Sequence, residues 1–230
     1  MHVARKRFAS RNDLHREAVQ LLEMVAMEAI EARGAFTLAL SGGRTPVPFY
    51  RRLAKSQAVN WRDVHLFWSD ERGVPPDHPT SNYGTAKDAL IDRIPIPPEN
   101  VHRIHSEQTP QDAAEDYEAE LRRELGPEGR LDLVLLGMGA DGHTASLFPG
   151  HMAVEETDLW VLPVHAPVEP PWRVTLALPL LNRARNVLFL VVGEEKTEAL
   201  LQIADGADLP ASRVRPSNGT LTWFVCLSND

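Results

Sequence analysis

The sequence predicts an α/β fold: a Rossmann-like, mainly parallel sheet with helices on both faces, in one domain spanning residues 1–230. Three observations predict it. Short apolar runs at Phe36–Leu40, Val64–Trp68, 131–136 and 187–192 have the length and β-branched or aromatic content of fully buried strands. Stretches with apolar residues at helical spacing alternate with them, the order that builds a parallel sheet from crossover units. No repeat, low-complexity tract or distinct linker divides the chain.

The first helix follows Asn12 and Asp13, either of which can cap it. Leu14, Ala18, Leu21, Leu22, Val25, Ala29 and Ile30 then recur at helical spacing until Gly34 stops it. After the strand Phe36–Leu40, a helix starts near Pro46, a residue suited to a first helical turn. The strand Val64–Trp68 leads into a polar loop reaching Asn82. Helices are expected at 83–94 and 113–125, and a buried strand at 131–136. A strand at 159–164, another at 187–192 with a helix at about 195–204, and a last strand at 222–227 complete the order.

Charge and cysteine usage narrow the partners. The formal net charge of −8 argues against nucleic acid or an anionic membrane surface as the partner. It also requires any anionic substrate to find a local cluster of cations or backbone N–H groups. Cys226 is the single cysteine, which excludes an internal disulfide and a thiolate metal cluster. The N-terminal Arg5, Lys6, Arg7 and Arg11 have no apolar stretch behind them, unlike a secretory signal, and no run is long enough to span a membrane. A reducing, cytoplasmic setting is the expectation. The oligomeric state is not legible.

In open parallel sheets, ligands sit beyond the carboxyl ends of the strands, and four such loops hold the unusual residues. Ser41-Gly42-Gly43-Arg44-Thr45-Pro46 combines two glycines, which let a ligand approach the backbone, with a helix start that presents unpaired N–H groups. It lacks the Gly-Lys-Ser/Thr ending of a Walker loop. After Trp68, Ser69-Asp70-Glu71-Arg72 sets three consecutive charges at a strand end. After the third strand, Gly137, Gly139 and Gly142 match the dinucleotide fingerprint literally. Pro149-Gly150 interrupts the helix that motif needs, and Asp158 precedes the next strand instead of ending it, so no nicotinamide or flavin is expected. The same glycines project Asp141 and His143 as an acid and a candidate general base. After the 187–192 strand, Lys196 sits in a first helical turn, where a cation wants a compensating anion. Glu194, Glu195 or a bound phosphate can each supply it, and Arg173 is a second cation. The nine histidines are dispersed, with no pair at helical ligand spacing near an acid, so neither metal nor cofactor is expected.

Together these loops resemble those of the 6-phosphogluconolactonase family, which shares its fold with the glucosamine-6-phosphate deaminases and, more distantly, with ribose-5-phosphate isomerase and CoA transferase. The resemblance covers nearly the whole chain. It rests on Ser41–Pro46 read as a string, Asp70-Glu71-Arg72, Ser81-Asn82-Tyr83-Gly84, residues 137–149, residues 173–182 and Gly193-Glu194-Glu195-Lys196. The deaminases carry a glutamate five residues past the histidine, where this chain has Phe148, and a tyrosine where it has Arg72. Both differences favour the lactonase.

The resemblance implies hydrolysis of 6-phospho-D-glucono-1,5-lactone to 6-phospho-D-gluconate in the oxidative pentose phosphate route. His143 would activate water, Asp141 would orient it, and Arg72 would stabilise the oxyanion. The substrate would bind at Ser41, Gly42, Gly43, Arg44, Thr45, Asp70, Arg173 and Lys196, with Arg44, Arg173 and Lys196 as the candidate cations for the phosphate and the division between them left open. Ser146 is no nucleophile, since no Gly-x-Ser-x-Gly elbow surrounds it. The alternatives are a glucosamine-6-phosphate deaminase/isomerase and a non-catalytic sugar-phosphate-binding protein.

Overall fold

The computed structural model describes residues 2–228. Its elements in chain order are β1 His2–Arg7, α1 Arg11–Arg33, β2 Phe36–Leu40, α2 Val47–Leu53, β3 Val64–Trp68, β4 Asp70–Arg72, α3 Asn82–Ala89, α4 Pro110–Leu125 and β5 Leu133–Leu136. Then follow β6 Val161–His165, β7 Trp172–Leu176, α5 Leu178–Leu181, β8 Asn186–Val192, α6 Thr197–Ala204, α7 Pro210–Arg213 and β9 Thr220–Cys226.

Six strands form a parallel sheet in the order β1-β9-β8-β5-β2-β3. Every residue of β5 is buried. Because successive side chains of a strand point to opposite faces, both faces of the sheet are covered at its centre. The chain leaves β2 towards β3 on one side, whereas β5 and β8 lie on the other. The strand order therefore reverses between β2 and β5, the place where open sheets of this type leave a crevice.

Two features differ from the sequence expectation. The basic N-terminal residues, to which the sequence assigned no element, form the edge strand β1, paired in register with β9 from His2↔Thr220 to Arg7↔Val225. It is almost wholly exposed, so it carries neither an apolar run nor an alternation. A second, three-stranded antiparallel sheet, β4-β7-β6, also stands apart from the parallel one. Residues 70–72 thus form a strand where a loop was expected, and the 159–164 strand joins this smaller sheet as β6. The two sheets are tied at Ser69, whose N–H donates to the Leu40 carbonyl (2.8 Å) and whose carbonyl accepts from Leu176 N–H (2.8 Å).

Smaller departures have local causes. The expected 83–94 helix ends at Ala89 and gives way to a 3-10 turn at Ile91–Arg93, because Leu90 leaves the helical region at φ −132°. Asp132 stays outside β5: its carboxylate accepts from Thr37 N–H and pairs with Arg33 (2.7 Å), so the residue serves as a polar stop below the strand. No helix of the described residues is long and apolar enough to cross a membrane.

Candidate active site

The four loops named above converge. A cleft of about 280 Å³ at the carboxyl ends of β2, β3, β5 and β8 is lined by Ser41–Pro46 of the glycine loop, Asp70, Arg72, Gly139, His143, Arg173 and Lys196, among others. A roomier groove of about 630 Å³ lies elsewhere against α4, but its wall is mainly apolar and gathers no comparable set of cations. Chemistry, not size, singles out the strand-end cleft.

Two buried tyrosines fix the strand ends that border it. The Tyr50 hydroxyl donates to the Ser41 carbonyl (2.7 Å) and accepts from Ser41 N–H (3.0 Å). Tyr117 does the same for Trp68 at the end of β3, at 3.1 and 2.8 Å. Each phenol satisfies both backbone groups of a residue just where its strand stops pairing, and burial pushes both hydroxyls well above their ordinary pKa. Neither tyrosine was marked by the sequence, since the partners lie 9 and 49 residues away.

The glycine loop is held close to its neighbours. A Cβ on Gly42 would lie 1.8 Å from Asn82 Oδ1, so the amide of Asn82 fills the space a side chain would need. Asn82 in turn donates through Nδ2 to the Asp70 carbonyl (2.8 Å). Thr45 makes no side-chain cap on the short helix α2; its carbonyl accepts from the Nε2–H of His15 (3.1 Å). Arg44 is exposed at the rim.

Of the charges at the end of β3, two act as braces. Glu71 is buried, and its carboxylate accepts from the backbone N–H groups of Arg72 (2.8 Å), Asn82 (2.7 Å) and Tyr83 (2.7 Å). It closes the start of α3. Burial pushes its carboxyl up, against the pull of those three N–H donors. Asp70 faces the cleft, but Ser146 Oγ donates to it at 2.8 Å and Asn82 Nδ2 at 3.3 Å. Ser146 is completely buried by this contact.

Arg72 stands in register with Arg173 across β4 and β7. Arg72 donates through Nη1 to the Thr80 carbonyl (2.6 Å), while its buried Nε has no partner. Arg173 is 6% exposed and donates through Nε to the Pro170 carbonyl (2.7 Å). Among the described residues, no carboxylate forms an ion pair with either guanidinium. Burial, and then the charge of Arg72, lowers the pKa of Arg173. Two adjacent cations, bound only to neutral carbonyls, form a site that favours an anion. Lys196 Nζ lies 3.6 Å from Glu195 Oε1, so it has a loose partner of its own.

On the opposite wall, the loop after β5 presents His143 and Asp141. His143 Nδ1 lies 2.6 Å from Asp141 Oδ1, which also accepts from His143 N–H at 3.1 Å. Burial works against ionisation of Asp141, but the N–H, charge and ring N–H of His143 outweigh it and hold the carboxyl below its usual range. An ionised carboxylate only accepts, so Nδ1 carries the imidazole proton and Nε2 keeps its lone pair. Gly142 turns the loop at φ +83°, a conformation that favours glycine. Gly139 is required for another reason: its Cβ would fall 2.1 Å from His143 Nδ1 and 2.4 Å from Asp141 Oδ1. Phe148 packs on the imidazole with ring centroids 4.6 Å apart. The cleft thus holds an imidazole backed by a carboxylate, a pair of guanidinium groups without an ion-pair partner, and a cradle of backbone at the glycine loop. Of the residues expected to act in catalysis or bind substrate, Asp141 is the one that does not line the cleft, and it reaches the cleft through His143.

A family model described as glucosamine-6-phosphate isomerases/6-phosphogluconolactonase matches residues 9–223. A 6-phosphogluconolactonase of a Synechocystis species is 43% identical over 207 residues, covering 86% of this chain and 85% of that one. The Haemophilus influenzae 6-phosphogluconolactonase is 38% identical, covering 82% and 83%. Among solved structures, the 6-phosphogluconolactonase of Thermotoga maritima superposes with a TM-score of 0.89 at 33% identity, covering 97% of this chain and 99% of that one. The Trypanosoma brucei 6-phosphogluconolactonase superposes with a TM-score of 0.87 at 30% identity, covering 97% and 96%.

Proposed function

Because the chain belongs to the glucosamine-6-phosphate isomerase/6-phosphogluconolactonase family, we propose that its strand-end cleft carries out the lactonase reaction of that family with His143 as general base. The reaction is hydrolysis of 6-phospho-D-glucono-1,5-lactone to 6-phospho-D-gluconate. The observation that carries the assignment of roles is the Asp141–His143 pair, which commits the imidazole proton to Nδ1 and leaves Nε2 as a lone pair at the cleft.

In this mechanism a water bound at His143 Nε2 attacks the lactone carbonyl carbon and gives its proton to the imidazole. The carbonyl π pair moves onto oxygen, and the oxyanion is met by the Arg72 guanidinium, whose buried Nε has no other partner. Such a contact in a water-poor site can be worth about 3 kcal/mol of barrier. Asp141 stabilises the imidazolium while it lasts. The oxyanion then collapses, the bond from the carbonyl carbon to the ring oxygen breaks, and the imidazolium returns its proton to that oxygen as the sugar hydroxyl forms. The 6-phosphate lies against the Gly42–Thr45 backbone, with Arg44, Arg173 and Lys196 supplying charge.

Ring opening and deamination of an amino-sugar phosphate need a further acid beside the histidine. Phe148 stands at that place, and its ring covers a face of the imidazole. A purely binding role would have no use for the polarised Asp141–His143 pair. We read residues 1–230 as one domain in a reducing, cytoplasmic setting, supported by a cleft that both sheets line and by the single buried thiol of Cys226. Lactone hydrolysis by the wild type and His143→Ala, corrected for the spontaneous rate, tests the assignment. A wild type that does not exceed the spontaneous rate, or a variant as fast as the wild type, would refute it.

A further inference from the structure

Away from the cleft, the region where β3 meets α4 carries metal-ligating side chains that lactone hydrolysis does not use. His65 on β3 and His102, just after the 3-10 turn Pro98–Asn100, face each other with His65 Nδ1 and His102 Nε2 3.0 Å apart. Glu124, near the end of α4, adds a carboxylate. One ligand atom from each of the three lies within 4.8 Å of the others, the one such set among the described residues.

The surroundings orient this set. Glu120, one helical turn before Glu124, accepts from His102 Nδ1–H at 2.8 Å. That bond leaves the Nε2 lone pair of His102 directed at His65. A carboxylate behind a ligating imidazole is the usual way proteins fix its tautomer and raise its basicity. Phe67 stacks on His102 with centroids 4.5 Å apart and an interplanar angle of 9°, which locks the buried ring. His65 is partly buried, so its ring is only partly enclosed and can adjust to a cation. Glu124 is exposed and leaves a path to solvent.

We propose that His65, His102 and Glu124 form a divalent-metal site of the zinc class, with water completing the shell, that clips edge strand β3 to the last turn of α4. Two imidazoles and one carboxylate suit zinc, nickel or copper and do not suit magnesium or calcium, which want an all-oxygen shell. With metal–nitrogen bonds of about 2.1 Å, tetrahedral ligand atoms lie roughly 3.4 Å apart, so the two nitrogens need only separate slightly. His102 stays held by Glu120 and Phe67, while the partly buried His65 ring, whose plane lies within 8° of that of His102, turns until its lone pair meets the cation on the Glu124 side. The proton on His65 Nδ1 leaves and Nε2 takes one up, so both rings remain neutral. Glu124 gives up its contact with the exposed Arg123 (2.9 Å), a surface pair of little energetic weight.

The test titrates the full chain, stripped with a chelator, with Co2+ for its visible absorption and with Zn2+ by calorimetry. One ion per chain is expected to bind at micromolar concentration. His65→Gln and Glu124→Gln should each weaken binding by about tenfold or more, and Glu120→Gln, which acts only through His102, by about tenfold. His143→Ala is included because the Asp141–His143 pair also offers ligand atoms, and it should bind as the wild type does. Glu124→Gln alters an exposed side chain, so it carries the test if His65→Gln fails to fold. Binding only at millimolar metal, or binding lost with His143→Ala and kept with Glu124→Gln, would overturn the proposal.

Discussion

Replacing Gly139 by alanine sets a methyl group 2.1 Å from His143 Nδ1 and 2.4 Å from Asp141 Oδ1. Both distances are far inside van der Waals contact, so the pair must move apart. Both clashing atoms are ends of side chains that are 33% and 50% exposed, so they can swing outward without disturbing the core. The backbone at Gly139 is not left-handed, and alanine adds no conformational strain there. Stability should therefore change by less than about 1 kcal/mol, as for an ordinary surface position. Activity should not be spared. A displacement of about 1 Å in a catalytic group can cost 10²-fold, or about 2.7 kcal/mol of barrier. The assay is lactone hydrolysis corrected for the spontaneous rate, with a melting curve beside it. Gly43→Ala is the control: its Cβ would meet nothing within 4 Å, but its φ of +84° strains alanine, so it should lose stability first. A Gly139→Ala enzyme with unchanged melting and full kcat would refute the claim that the observed Asp141–His143 geometry is needed.

Arg72→Gln should lower kcat by about 10²-fold or more with a smaller change in KM, read from steady-state rates, because the guanidinium acts on charge that appears only in the transition state. Tyr50→Phe orphans both backbone groups of buried Ser41. It should cost about 2 kcal/mol, a melting shift of roughly 4–8 °C for a chain of this size. His15 supplies a pH test. Burial lowers its pKa, with its bond to Thr45 opposing, so the unfolded chain takes up the proton first as pH falls. That stability is fully present above the unfolded value of about 6.5 and is lost as pH drops below it. The melting temperature of His15→Gln should consequently fall less than that of the wild type between neutral pH and about pH 5.

The parts of the fold that were legible in the sequence are those where burial wrote a local pattern. β2, β3, β5 and β8 are short apolar runs because the sheet is covered on both faces, and their carboxyl ends led directly to the four site loops. Gly139–His143 was readable because glycines beside an acid and a histidine have few other uses. β1 was invisible since an exposed edge strand buries nothing on its own. The smaller sheet was hidden because β4 has only three residues, all charged, and its pairing with β7 spans a hundred residues of sequence. Glu71 looked like part of a charged site and proves to be a buried helix brace, a role set by N–H groups 11 and 12 residues on. The approach of His65 to His102 was not legible because the fold makes it across 37 residues, beyond any local histidine spacing.

The central claim is that Asp141 and His143 act as one base. Measuring corrected kcat for Asp141→Asn, His143→Ala and the double variant tests it most directly. Groups that work as a unit lose their contribution once, so the double variant should be no slower than His143→Ala alone. Losses that add on a logarithmic scale would contradict the account.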